Sequence, residues 1–280
     1  MRINVNKVEL CVETFGDPAD PPVLLIGVSM LSWPDELCAA LTGRHVVRYD
    51  LRDTGGSTFT DPDAPAYDLR DLVTDAAELM TALDLGATHV AGLGVGGFVA
   101  QLLALDHPDR VASLTLISTR PVAPGPVDPD LPDHAPELMK ALLGSPQPDW
   151  TDRDSVIAYM AATVRLMSGS RGFDEADARA NAGRIFDRAG RTAKAQRASQ
   201  LGTMFAAIDC RPRWRERLGE IAAPTLVVHG DEDPFFPYGN GVALAAEIPG
   251  ATLLTLPGIG QGVPRTTWPT FVDALLRHTS

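Results

Sequence analysis

Six residues, Gly92-Leu93-Gly94-Val95-Gly96-Gly97, lie between a strand-like run and a helix-like run. Small residues at alternate positions let a strand turn sharply into a helix. Such a turn normally displays a nucleophilic serine at its centre, in the frame G-x-S-x-G. Here the centre is Gly94, which has no nucleophile to offer. The start of the following helix still supplies backbone N–H groups, that of Val95 first, and a positive dipole end for an oxyanion. A rival reading is a dinucleotide-binding G-x-G-x-x-G. Its final glycine is out of place, and the motif falls late in the sheet, where no first βαβ unit carries it. Two later segments each follow a strand: Gly230-Asp231-Glu232-Asp233-Pro234, and Pro257-Gly258-Ile259-Gly260-Gln261-Gly262-Val263-Pro264. An acid loop followed by a second loop is the chain order in which a triad beginning at such a turn is completed.

These segments need a sheet to hold them. Short β-branched runs alternate with longer amphipathic ones, the pattern of a parallel sheet with crossover helices. Strands are expected at 2–5, 8–15, 21–28, 45–50, 88–94, 111–119, 224–230 and 252–258. Helices are expected at 68–85, 96–108 and 268–279, and a tight turn around Asn6. Residues 121–136 are rich in proline and aspartate, as a loop is. From Pro136 to about Leu218 the apolar spacing is helical throughout. The expected architecture is α/β: a mostly parallel central sheet with helices on both faces, a core made of 1–120 and 219–280, and an inserted helical cap, 121–218.

Four segments carry a resemblance. Ser32-Trp33-Pro34-Asp35-Glu36-Leu37, the run Arg48 to Ser57, Leu226 to Pro234, and Pro257 to Pro264 resemble the WPDEF, RYDxRDTGxS, LVxxxxxDP and PGMGHxLP segments of the aclacinomycin methylesterase-like branch of the α/β-hydrolase fold. The likeness covers nearly the whole core and fades in the cap. It implies action on aromatic polyketides and places the family serine on Gly94, the family histidine on Gln261 and the family acid on Asp233. Glutamine cannot take a proton as a general base near neutral pH. Losing either nucleophile or base costs a hydrolase many orders of magnitude. Serine-type hydrolysis is therefore not expected.

The oxyanion frame remains, made of Val95 and the loop Gly27-Val28-Ser29-Met30. Ser29 reads either as a substitute hydroxyl or as a simple loop hydroxyl. Gln261 can donate to Asp233 and turn its other group to a ligand, or only plug that loop. Arg120, just past a strand end, suits a phenolate or carboxylate, or a surface hinge. Tyr159, Met160, Met167, Phe173, Phe186, Met204 and Phe205 suit a flat polycyclic ligand, or plain packing within the cap. His229 reads as a packed, hydrogen-bonded histidine near Asp233.

A formal net charge of −12 opposes nucleic acid and anionic lipid. No apolar run approaches the ~20 residues of a membrane span, and the N-terminus lacks a signal-peptide core, so the cytoplasm is the expected location. The three cysteines have no metal-ligand spacing, and neither metal nor cofactor is expected. The expected partner is a small polycyclic molecule; a homodimer is compatible with the sequence. Three readings follow. The first is an enzyme that promotes carbon–carbon coupling or cyclisation on an anthraquinone- or anthracycline-like polyketide. The second is a binding or self-resistance protein without turnover. The third is residual ester hydrolysis by a non-serine route.

Overall fold

The computed structural model describes residues 1–280. Eight strands form one sheet: β1 (Arg2–Val5), β2 (Val8–Phe15), β3 (Pro22–Ile26), β4 (His45–Tyr49), β5 (Thr88–Leu93), β6 (Val111–Ile117), β7 (Thr225–Gly230) and β8 (Thr252–Leu256). Their spatial order is β1-β2-β4-β3-β5-β6-β7-β8. The β1–β2 and β2–β4 pairs are antiparallel and the rest parallel. The turn between β1 and β2 uses positive φ at Asn6 and Lys7, as a two-residue hairpin requires. The central strands β4 and β7 are buried at every position, which is why their sequence does not alternate.

Helices α1 (Asp35–Ala40) and α9 (Trp268–His278) cover one face with a core of 15 buried apolar residues. The other face carries α2 (Leu69–Ala82), α3 (Gly96–Asp106) and α8 (Gly239–Glu247) over a core of 38. Asp68 and Asp71 form a reciprocal capping box that starts α2 where the sequence pattern begins. Between β6 and β7 the chain forms α4 (Pro136–Gly144), α5 (Arg153–Met167), α6 (Glu175–Arg188) and α7 (Ala193–Leu201). No helix is long and apolar enough to cross a membrane. The three cysteines are free.

Candidate functional site

The sheet order reverses about β3, which lies between β4 and β5. In an open α/β sheet, the crevice beyond the strand ends at such a point is where ligands bind. The loop after β3 carries Val28 and Ser29, and the turn after β5 carries Gly94 and Val95. The two are pressed together at Gly96: a Cβ there would stand 2.4 Å from Ile26 O and 3.0 Å from Gly27 N. Only glycine permits that approach.

Gly94 has φ +58°, the left-handed conformation of a strand-to-helix elbow. Its N–H donates to Ile117 O at 2.9 Å, so β6 fixes the turn. A Cβ on Gly94 would have only Gln261 Nε2 within 4 Å, at 3.8 Å. The space for a side chain at the elbow is thus present and empty, and residue 261 borders it. The amides of Val28, Ser29 and Val95 make no hydrogen bond within the chain. They are the free donors an oxyanion needs.

Met30 does not join them. Its N–H donates to Asp50 Oδ1 at 2.9 Å, and its side chain is wholly buried. Asp50, fully buried at the end of β4, also accepts from Gly56 N at 2.9 Å and from Arg188 of α6 at 2.7 Å. It ties the oxyanion loop to an inserted helix. The sequence marked Asp50 only as part of a motif, because a charge at a strand end does not name its partners.

Asp233 is buried in the loop after β7. Its Oδ1 accepts from Phe235 N at 2.8 Å and Phe236 N at 2.9 Å, whereas Oδ2 has no hydrogen-bond partner. Burial pushes this carboxyl up to about 7; the two backbone donors, and the nearby Ser118 hydroxyl without closing on Oδ2, oppose the shift. The expected bond from Gln261 to Asp233 is not made. Gln261 is held by its own backbone, N–H to Met167 O at 2.7 Å, and its side chain turns to the cavity. Nor does His229 stand in as a base. Its Nε2–H donates to Phe236 O at 2.7 Å, and it lies 3.6 Å from Asp233 Oδ2, wholly buried, with its pKa lowered by that burial.

A cavity of about 420 Å³ lies between α5, α6 and α7 and the loops at the carboxyl edge of the sheet. Val28, Ser29 and Gln261 line it, as do Met160, Met167 and Phe173. Its other walls include Asn181, Ser199 and Gln200, polar residues that sequence reasoning missed. A polar residue on an amphipathic helix reads as solvent-facing until tertiary packing sets a wall opposite it.

Three expected ligand contacts lie elsewhere. Arg120 is buried away from the cavity: it donates to Ala123 O at 3.0 Å, lies over the Phe236 ring at 5.4 Å and pairs with Asp133 at 3.7 Å. Tyr159 packs edge-on against Trp150, with centroids 5.6 Å apart, in a cluster inside the helical segment that Phe186 also joins. Met204 is wholly buried in the larger sheet core beside Phe205, because the short 3₁₀ turn Thr203–Ala206 dips back to α3. Gly94 and Val95 do not line the cavity either; its wall at that end is formed by Gln261 and the Val28–Ser29 loop. No three His, Cys, Asp or Glu side chains are grouped to hold a metal.

The elbow at Gly94, the two loops at Asp233 and Gln261 and the β3 loop reproduce one frame in one sheet order. The α/β-hydrolase fold family matches residues 21–261. The chain belongs to that family. Rhodomycin D methylesterase DauP of Streptomyces sp. strain C5 is 31% identical over 99% of this chain and 97% of its own. Rhodomycin D methylesterase DnrP of Streptomyces peucetius is 29% identical over the same shares. A crystal structure of a hydrolase from Pseudomonas aeruginosa superposes with a TM-score of 0.72 at 27% identity, covering 99% of this chain and 97% of that one. Within the α/β-hydrolase fold family the chain sits in the aclacinomycin methylesterase-like branch. Gly94 lies at the centre of its elbow turn, and Gln261 lies in the loop after β8.

Proposed function

We propose that this α/β-hydrolase-fold chain tailors an aromatic polyketide without hydrolysing it, promoting carbon–carbon bond formation on an anthraquinone- or anthracycline-like ligand. One observation carries the reading: the elbow keeps its geometry and its free amides at Val28, Ser29 and Val95, while no side chain able to attack an acyl carbon stands at residue 94. The likeness to two rhodomycin D methylesterases supports the substrate class.

In the proposed step an enol or phenol carbon adds to an electrophilic carbonyl carbon. The new bond uses the electron pair of the ring oxygen's conjugated system, and the carbonyl π pair moves to its oxygen. The proton lost from the nucleophile ends on that oxygen, so no oxidant is needed. The cavity under residues 121–218, acting as a cap, holds the reacting carbons together, and such positioning lowers barriers by several kcal/mol. Each backbone donor to a charged ligand oxygen contributes roughly 3 kcal/mol. A cavity of about 420 Å³ suits one polycyclic ring system, which favours cyclisation within a ligand over coupling of two.

Mass spectrometry of reactions with polyketide methyl esters tests the proposal. The expected product keeps its ester methyl and either keeps the mass of its precursor or loses water. A product lighter by one methylene equivalent, with burst kinetics on p-nitrophenyl acetate, overturns it.

A further inference from the structure

Helices α6 and α7 bring free protons to one stretch of the cavity wall. Ser199 on α7 lines the cavity and is only 3% exposed. A serine within a helix commonly returns its proton to the carbonyl four residues back. Ser199 does not. Its Oγ accepts from Gly55 N at 3.0 Å, and its own proton has no acceptor within the chain. Asn181 on α6 lines the same cavity. Its Oδ1 accepts from Arg184 Nη2 at 3.3 Å, and its NH2 group is unbonded. The two residues belong to one patch, because the side chain of Gln200, next to Ser199, donates Nε2 to the carbonyl of Ala182, next to Asn181, at 2.8 Å.

Free acceptors are missing from this patch. The accepting atoms of Ser199 and Asn181 are already engaged. Gln200 Oε1 is buried without a partner and cannot be reached from the cavity. Asp177, one helical turn before Asn181, lines the cavity but accepts from Arg265 Nε at 2.7 Å. The Arg184 guanidinium behind Asn181 polarises the amide and strengthens its outward N–H donors. An oxygen without a proton of its own suits such a patch. A ligand alcohol would bring a proton that finds no free acceptor, and an unmade buried hydrogen bond is costly.

We infer that Ser199 and Asn181 form a subsite for a neutral ring carbonyl of the aromatic ligand, donating O–H and N–H to its oxygen. The pair selects a ketone or quinone over the corresponding alcohol and fixes how the ring system lies in the cavity. The inference rests on the polyketide reading above and specifies its substrate. Both donors come from the segment between β6 and β7, outside the sheet loops that carry the elbow and the free amides.

Three neutral compounds test this. 9-Fluorenone, 9-fluorenol and fluorene share one three-ring frame and differ at a single carbon. Equilibrium dialysis gives their Kd values. Fluorenone is expected to bind about tenfold more tightly than either of the others, as two net hydrogen bonds allow. Ser199→Ala and Asn181→Leu are each expected to cut that preference about threefold or more without weakening fluorene. Asn181→Asp keeps the side-chain shape and replaces donors by an acceptor, so fluorenol is expected to overtake fluorenone. The Asn181 variants decide the matter even if Ser199→Ala, which strips Gly55 N of its acceptor, does not fold. Equal binding of fluorenone and fluorene, tighter binding of the alcohol by the unaltered chain, or variants that weaken all three compounds alike overturns the inference and leaves the polyketide reading standing. Failure of all three compounds to bind overturns both.

Discussion

With φ at +58°, residue 94 lies where an L side chain costs about 1–2 kcal/mol, yet the space for one is open and bordered by Gln261. Gly94→Ser alone should give no esterase, since Gln261 cannot take the proton. Gly94→Ser with Gln261→His should hydrolyse p-nitrophenyl acetate on the order of a hundredfold faster than either single variant, because the free Asp233 Oδ2 and the unbonded amides await that pair. Steady-state rates of the three variants decide it. Asp233 permits a second test. Its folded pKa, about 7, stands above the ordinary value of 3.8, so the folded chain holds a proton that the unfolded chain releases. The relative stability this gives is fully present below pH 3.8 and is lost as pH rises through 7. Asp233→Asn keeps an acceptor for the Phe235 and Phe236 amides and removes the titration. It should raise stability at pH 8 by roughly 2–4 kcal/mol and flatten the dependence of Tm between pH 5 and 8, as calorimetry would read. At this scale the sequence disclosed the elbow turn at Gly94 and the two loops that carry Asp233 and Gln261, because backbone-dictated glycines and chain order are local features. It misplaced Arg120, Tyr159 and Met204, whose partners lie on other elements.

Arg188, in the last turn of α6, reaches Asp50 at 2.7 Å and Glu13 at 3.5 Å, and so joins an inserted helix to β2 and to the end of β4. Asp50 in turn holds the Met30 amide. Arg188→Met should lower unfolding free energy by about 1–3 kcal/mol, since the fully buried Asp50 loses its only cation. It should also weaken binding of aromatic ligands, because Asp177, Asn181 and Ile185 of the same helix line the cavity. Denaturant melts and ligand titrations read the two effects separately; unchanged affinity with lowered stability would mean that the contact only holds the fold. All eight strands were legible, their ends shifted by a residue or two: the buried parallel strands as continuous apolar runs, the antiparallel β1 and β2 as alternating ones. Two helices were not. The first, α1, is only six residues long. The second, α8, carries Gly239 and Gly241, poor helix formers whose place is set by packing on β7.

Seen whole, the chain assigns its two tasks to different stretches. The sheet and its facing helices hold the elbow, the acid loop and the oxyanion loop, whereas most of the cavity wall comes from residues between β6 and β7. The net charge of −12 lies on the sheet and its facing helices, since residues 121–218 carry 14 basic and 13 acidic side chains. The adjacency of β6 and β7 has a further consequence. Leu114 pairs with Thr225 and Ile117 with Val228, so the long helical excursion leaves the sheet and returns to the neighbouring strand. In polymer terms it is a loop closed by that strand pair, and the entropy of closing a loop grows only with the logarithm of its length. Doubling it costs about 0.6 kcal/mol. Lineages carrying this fold can therefore lengthen, shorten or rewrite the wall that chooses the ligand at little thermodynamic penalty, provided that Arg188 or an equivalent cation still meets Asp50 on its return.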